Sequence, residues 1–419
     1  MERVSDTALF QNRDFRLLLI GQTTSQLGAQ VSGVAIPLLA VLTLDASPIE
    51  LGLVTASSTV AFALIGLPAG AWLDRWRKLP VLVISDIVRA FLLATIPLAA
   101  LLGTLTIIHL IVVALLTGFA RVFFDVGYQS YLPTVLGKDK ILAGNASMET
   151  IRASGQVVGP GLGGGLVALF GAAAVVLLQA VTFAVSAACL LGIRTREAAI
   201  PVHPDRPRLG AHILEGLAFV GRNRILRATA LSSAAGNFSF AISSAVTFIF
   251  LSRTLELSPV VIGLLVAIGS VSAIAGAALT PVVSRRVGSV RIIWLALVVT
   301  GPFAVLTPLA QPGWSVILVV VAMSAGELGQ IVYAVTNVSL RQRLCPDDIL
   351  SRVNATMRVL IMGLFPLGAV VGGVLGELIG LRGTLWVAGA LILLSPIPLI
   401  RAFGGVRDIE TLAVWRPER

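Results

Sequence analysis

The chain has 419 residues, of which 56% are hydrophobic and only 12% charged, and its formal net charge is +10. Charge at about half the level usual for a soluble domain leaves too little polar surface for a water-soluble globule, and so much apolar residue excludes a disordered chain. A mean hydropathy of +0.94 points away from a nucleic-acid binder, despite a pI near 10.8, and towards a polytopic helical membrane protein.

The first sixteen residues are polar, with Arg3, Asp6, Arg13, Asp14 and Arg16, and no small-residue cleavage site closes the apolar run that follows. A retained first span is expected rather than a signal peptide. Apolar runs of roughly span length fall at about 17–44, 49–72, 79–101, 106–128, 146–170, 173–193, 226–251, 259–283, 290–310, 314–338, 354–379 and 383–402. Backbone groups in lipid must be satisfied within the segment, so each run is expected to be a helix. The predicted fold is all-α, with twelve transmembrane helices in two six-helix bundles.

Span 1 is polar for its place, with Gln22, Gln26 and Gln30 among serines and threonines. These suit the wall of a wet cavity or hydrogen bonds between helices. Span 2 ends in Gly66-Leu-Pro-Ala-Gly70-Ala-Trp-Leu-Asp74-Arg75-Trp76-Arg77-Lys78, a charged loop. Asp86 and Arg89, one turn apart in span 3, read as a local pair. In span 4 Arg121 precedes Asp125 by four residues, which puts both on one helix face at pairing distance. Span 5 carries Gly155, Gly159, Pro160, Gly163 and Gly164. Glycines at this spacing let another backbone come close, and the proline permits a bend. Glu149, Arg152 and, in span 11, Arg358 lie nearer one membrane face and are read as interdomain pairs.

The connector from Arg194 to Arg224 contains Pro201, Pro204 and Pro207, and 209–222 reads as a short interfacial helix. Span 7 echoes span 1, with Asn237 among serines. In span 10 Glu327 sits thirteen residues after Trp314, about 20 Å along the helix, with no basic residue within a turn. Such a carboxyl must face a cavity, find a partner or be protonated, and near the midplane it would load and release a proton. Tyr333 and Asn337 follow on the same helix as candidate cavity-lining groups.

The halves repeat. Segments 139–171 and 348–380, offset by 209 residues, share ten of 33 positions, including Gly159/Gly368, Gly163/Gly372 and Gly164/Gly373. The expected organisation is a bundle over 1–193, a linker over 194–225, a second bundle over 226–403 and a tail over 404–419. With the N-terminus inside, cytoplasmic segments hold 25 of the 31 Lys and Arg and outer loops hold two. That bias places both termini in the cytoplasm, and the chain is expected in the inner (plasma) membrane. Cys189 and Cys345 form no paired framework, and no metal cluster, P-loop, H-E-x-x-H or G-x-S-x-G is present.

The span-5 run resembles the G-x-x-x-G-P-x-x-G-G signature of major facilitator antiporters, and the loop after span 2 resembles that superfamily's cytoplasmic loop signature. Asn12-Arg-Asp-Phe-Arg16, Phe123 through Pro133 and Arg352 through Arg358 resemble the branch with macrolide-efflux and enterobactin-exporting proteins. The resemblance implies proton-driven export of a small amphipathic molecule, with Arg121 linked to coupling and Asp74, Arg75, Arg77 and Lys78 clasping the halves. Serine stands at 284, opposite Asp74, so the clasp should be asymmetric. The partners expected are a small-molecule substrate, protons and membrane lipids, with no nucleic acid and no cofactor or metal, and the chain is expected to be a monomer. An importer on the same fold, a membrane enzyme and a non-transporting scaffold remain as alternatives.

Overall fold

A computed structural model describes residues 11–73, 75–136, 140–195, 197, 217–345 and 347–408. In chain order α1 spans Arg13–Leu42, α2 Pro48–Leu73, α3 Lys78–Leu101, α4 Ile107–Leu136, α5 Ile141–Phe170 and α6 Ala172–Leu191. In the second half α7 spans Arg224–Ile249, α8 Pro259–Val287, α9 Arg291–Thr300, α10 Val316–Leu344, α11 Asp347–Leu378, α12 Gly380–Leu394 and α13 Ile397–Phe403. The described residues contain no strand. They form 12 helical stretches long and apolar enough to cross a membrane, α12 and α13 together making the last. Of the expected connector helix, 217–222 is helical and 209–216 lie outside the described residues.

Three spans are less regular than their hydropathy suggests. α7 ends in a π turn, Phe250–Thr254. α9 continues as a 3-10 helix, Gly301–Leu309, where Pro302 and Pro308 lack the amides that an α-helix would need. Pro396 separates α12 from α13 for the same reason.

Other helices outrun their apolar stretches. α1, α4 and α5 have 30 residues each, about 45 Å at 1.5 Å per residue, against a hydrocarbon core of about 30 Å. Span 4 loses hydropathy at Gln129, but the helix runs on to Leu136, and Tyr131, Leu132, Val135 and Leu136 are buried. Hydropathy reports where lipid ends, whereas the helical hydrogen bonds and the protein core continue beyond it.

The chain divides into two compact units. Unit 1 comprises Met1–Ala46, Ser57–Pro204 and Ser258–Ala267, and unit 2 comprises Ser47–Ala56, Asp205–Leu257 and Ile268–Arg419. Unit 1 is centred on Phe15, Leu18, Leu82, Phe124, Tyr131 and Leu190. Unit 2 has a cluster around Ile293, Val332, Tyr333, Leu340, Leu399 and Phe403, and another around Leu226, Val353 and Met357. Phe91, Leu169 and Leu378 stay more than two-thirds exposed at 71%, 76% and 75%, as suits surfaces that meet acyl chains rather than water.

The same backbone devices recur in both halves. Asn12 accepts hydrogen bonds from the amides of Asp14 and Phe15 to start α1, and Asn223 accepts from those of Ile225 and Leu226 to start α7. Gly171, before α6, and Gly380, at the start of α12, have φ of 80° and 75°, a conformation that glycine adopts without Cβ strain.

Candidate functional site

Gly155, Gly159 and Gly163 stand four residues apart and so share one face of α5. A Cβ on Gly159 would lie 2.4 Å from Gln30 Cβ, and one on Gly163 would lie 2.5 Å from the carbonyl oxygen of Val31. The backbone of α1 therefore runs where side chains would otherwise stand. Gly164 faces α8 instead. Its Cβ would lie 2.2 Å from the Pro259 carbonyl oxygen, and a Cβ on Gly263 would lie 2.4 Å from that of Pro160. All of these residues belong to unit 1. Unit 2 repeats the arrangement. A Cβ on Gly372 would meet the Ile242 oxygen of α7 at 2.4 Å, one on Gly373 the Pro48 oxygen of α2 at 2.8 Å, and one on Gly52 the Ala369 oxygen at 2.6 Å. The span-5 signature is a two-sided close crossing, and span 11 carries its copy.

The charges are arranged differently in each half. Asp86 and Arg89 form an ion pair on α3 that is almost fully buried within unit 1. The Arg89 guanidinium lies between two aromatic faces, 4.3 Å from the Phe124 ring centre and 4.2 Å from that of Phe183. Asp86 Oδ2 and Arg89 Nε have no hydrogen-bond partner among the described residues. The spacing of Asp86 and Arg89 predicts the pair, but nothing local to α3 announces the aromatic sandwich. Gln22 is also buried in unit 1, with its Oε1 unpartnered among the described residues, while Gln26 and Gln30 are half-buried.

Arg121 and Asp125 pair on α4 at 3.5 Å, and the arginine side chain is 70% exposed. Between them in sequence, Phe123 stacks on Trp72 and Trp76 at 6.0 and 6.1 Å between ring centres. Arg75, Trp76, Arg77, Ile84, Ser85 and Phe123 line a groove of about 610 Å³. Asp74, the acidic member of the expected clasp, lies outside the described residues. Lys78 opens α3, and the amides of Lys78 and Leu79 donate to the two carboxylate oxygens of Glu197 at 2.8 and 2.7 Å. Sequence reasoning missed Glu197, which sits 119 residues away and matches no motif. Glu149 and Arg152, expected to pair across the halves, instead pair with each other on α5. They are one turn apart, and the local bond orders fewer groups than a distant one.

Unit 2 holds a network of neutral polar groups around Tyr333. Tyr333 Oη lies 2.6 Å from Ser233 Oγ and donates to the Thr229 carbonyl at 3.2 Å. Asn337 Nδ2 donates to Tyr333 Oη at 3.3 Å, and Asn237 Nδ2 to the Ser233 carbonyl at 3.0 Å. Tyr333 and Asn337 are buried and Asn237 is half-buried. Glu327 stands on α10 with its Cγ 3.4 Å from where a Cβ on Gly269 of α8 would be. Glycine at 269 gives the carboxyl its room. Among the described residues Glu327 meets no cation and no hydrogen-bond donor.

The fold is similar to that of a point mutant of the nucleoside transporter NupG, with a TM-score of 0.76 at 14% identity, covering 94% of this chain and 100% of that one. It is similar also to a bacterial homologue of the iron transporter ferroportin in an inward-facing state, at 0.75 and 18% identity over 93% and 98% of the two chains. These likenesses define the fold, an all-α one whose described residues form 12 helical stretches long and apolar enough to cross a membrane.

Residues 18–365 match the Major Facilitator Superfamily, and the chain belongs to it. It is 28% identical to the multidrug efflux pump Tap of Mycolicibacterium fortuitum over 88% of this chain and 90% of that protein. It is 26% identical to the MFS-type transporter YfiS of Bacillus subtilis over 94% of each.

Proposed function

We propose that this transporter exports a small amphipathic molecule in exchange for protons, by alternating access. Its lobes are 1–193 and 226–403, joined by 194–225, with both termini in the cytoplasm and one chain as the working unit. Similarity to pumps named for multidrug efflux supports the outward direction. Glu327 carries the coupling reading. An unpaired carboxyl inside a membrane span is costly when charged, so it is retained where its protonation is used. Protonation removes that charge and shifts the balance between the access states. Asp125, held by Arg121, is the second candidate carrier. Gln26, Gln30 and Asn237 are half-buried and suit substrate contact, and Arg75, Arg77 and Lys78 with Asp74 serve as the clasp.

Inside-out vesicles with an imposed proton gradient test this directly. Wild-type vesicles should accumulate a dye or antibiotic substrate, and Glu327→Gln should abolish the dependence on the gradient. If Glu327→Gln and Asp125→Asn each leave gradient-driven accumulation intact, neither group couples and the proton reading fails.

A further inference from the structure

At the start of α7 and the end of the last span, Arg224, Arg227 and Arg401 surround a groove of about 270 Å³ floored by Leu231, Ile397 and Pro398. Arg224 spends one donor on the Arg401 carbonyl, and Arg227 spends one on that of Gly221. A guanidinium has five N–H donors and no acceptor, so most of this donor capacity remains unspent. No carboxylate lines the groove, and none pairs with these three arginines among the described residues. Leu231 lies seven residues beyond Arg224, about 10 Å further along the helix, and is 55% exposed. The groove is thus cationic at its mouth and apolar along its length, at the end of a membrane span.

The first half holds the counterpart. Asn12-Arg13-Asp14-Phe15-Arg16 and Asn223-Arg224-Ile225-Leu226-Arg227 are offset by 211 residues. Arg13 donates to the Gly192 carbonyl at 3.0 Å, as Arg224 does to Arg401. There the acid is built in. Asp14 lies 3.6 Å from Arg13 and accepts from the Thr195 hydroxyl and amide at 2.6 and 2.8 Å. Isoleucine at 225 leaves the second copy without that carboxylate.

We propose that the Arg224–Arg227–Arg401 groove binds the phosphate of an anionic phospholipid, whose acyl chains lie along Leu231 and Ile397. Guanidinium forks match phosphate oxygens in pairs, and basic pockets at helix ends select anionic headgroups. The amides of Ile225 and Leu226 are already taken by Asn223, so the arginines do the binding.

Native mass spectrometry of the full-length protein in neutral detergent, titrated with dioleoyl phosphatidylglycerol or dioleoyl phosphatidylcholine, tests the site. The wild type should prefer phosphatidylglycerol. Arg227→Gln/Arg401→Gln, which keeps Arg224 and its bond, should weaken phosphatidylglycerol binding by about 25-fold, at about fivefold per arginine. Arg13→Gln/Arg16→Gln should retain the preference. Ile225→Asp, which keeps all three arginines and restores the acid of the first half, should lose it. An unchanged preference in both the Arg227/Arg401 and Ile225 variants, or equal loss in the Arg13/Arg16 variant, overturns the proposal. Excess inorganic phosphate should leave the lipid adduct in place. Complete displacement would make the groove a site for soluble anions and overturn the lipid assignment.

Discussion

α5 crosses α1 through Gly163 and α11 crosses α7 through Gly372, with backbone oxygens 2.5 and 2.4 Å from where the respective Cβ atoms would stand. α3 and α9 show no such likeness. Asp86 and Arg89 are buried on α3, while the matching stretch of α9, 295–300, is Leu-Ala-Leu-Val-Val-Thr. Asp14 and Ile225 differ in the same way, as do Gly118 and Glu327 at the same 209-residue offset. Close backbone approach must be achieved in each half if its helices are to pack, so glycines and caps are kept in both. A charge in a membrane span is costly and survives only where a partner neutralises it or a function uses it. Symmetry in this molecule belongs to packing, and asymmetry to charge.

That contrast can be broken first at α3. Arg89→Leu leaves Asp86 buried without its cation and should cost about 3–5 kcal/mol, whereas Asp86→Leu/Arg89→Leu should cost much less. Thermal unfolding in detergent measures both, and a double variant no more stable than the single would deny the coupling. The glycine crossings come next. Gly163→Ala and Gly372→Ala should each cost about 1–3 kcal/mol by overpacking. Gly165, which has nothing within 4 Å of its Cβ position, should accept alanine with no loss, or with a gain of up to about 1 kcal/mol. A cost at Gly163 alone would show that the duplication is one of form and not of energy. Asn12→Ala and Asn223→Ala should each cost about 1 kcal/mol for the lost cap, with the larger melting shift at Asn12, whose Nδ2 also donates to the Val135 carbonyl at 3.1 Å. A larger shift at Asn223 would deny that the two caps are equivalent. The smallest effect is expected for Tyr333→Phe, about 1 kcal/mol or less, because Ser233 and Asn337 still hydrogen-bond each other at 3.4 Å.

The twelve spans, their order and the duplicated glycines were legible along the chain, because each depends on residues within one helix or on a fixed repeat. Arg121–Asp125 was legible for the same reason, since a four-residue step on a helix sets the geometry. Helix ends were harder to place. α4 and α10 continue past the loss of hydropathy at 128 and 338 to Leu136 and Leu344, and local polarity does not report where the protein core takes over from lipid. Glu197 was invisible because nothing near it in sequence marks it as a cap for α3. Glu149 and Arg152, expected to pair across the halves, pair with each other one turn apart, because a helix brings such neighbours together without any tertiary contact.

By itself the sequence determined a lipid-soluble, all-helical chain built twice over, because a bilayer responds to composition and length and a repeat needs no partner to be seen. Only the tertiary structure decided which neighbours polar groups meet from distant parts of the chain. Phe124 and Phe183 enclose Arg89, Glu197 reaches Lys78, and Glu327 meets no partner among the described residues. Those outcomes depend on side chains brought together from helices far apart in the chain, where small differences in approach decide whether a charge is paired, sandwiched or left alone.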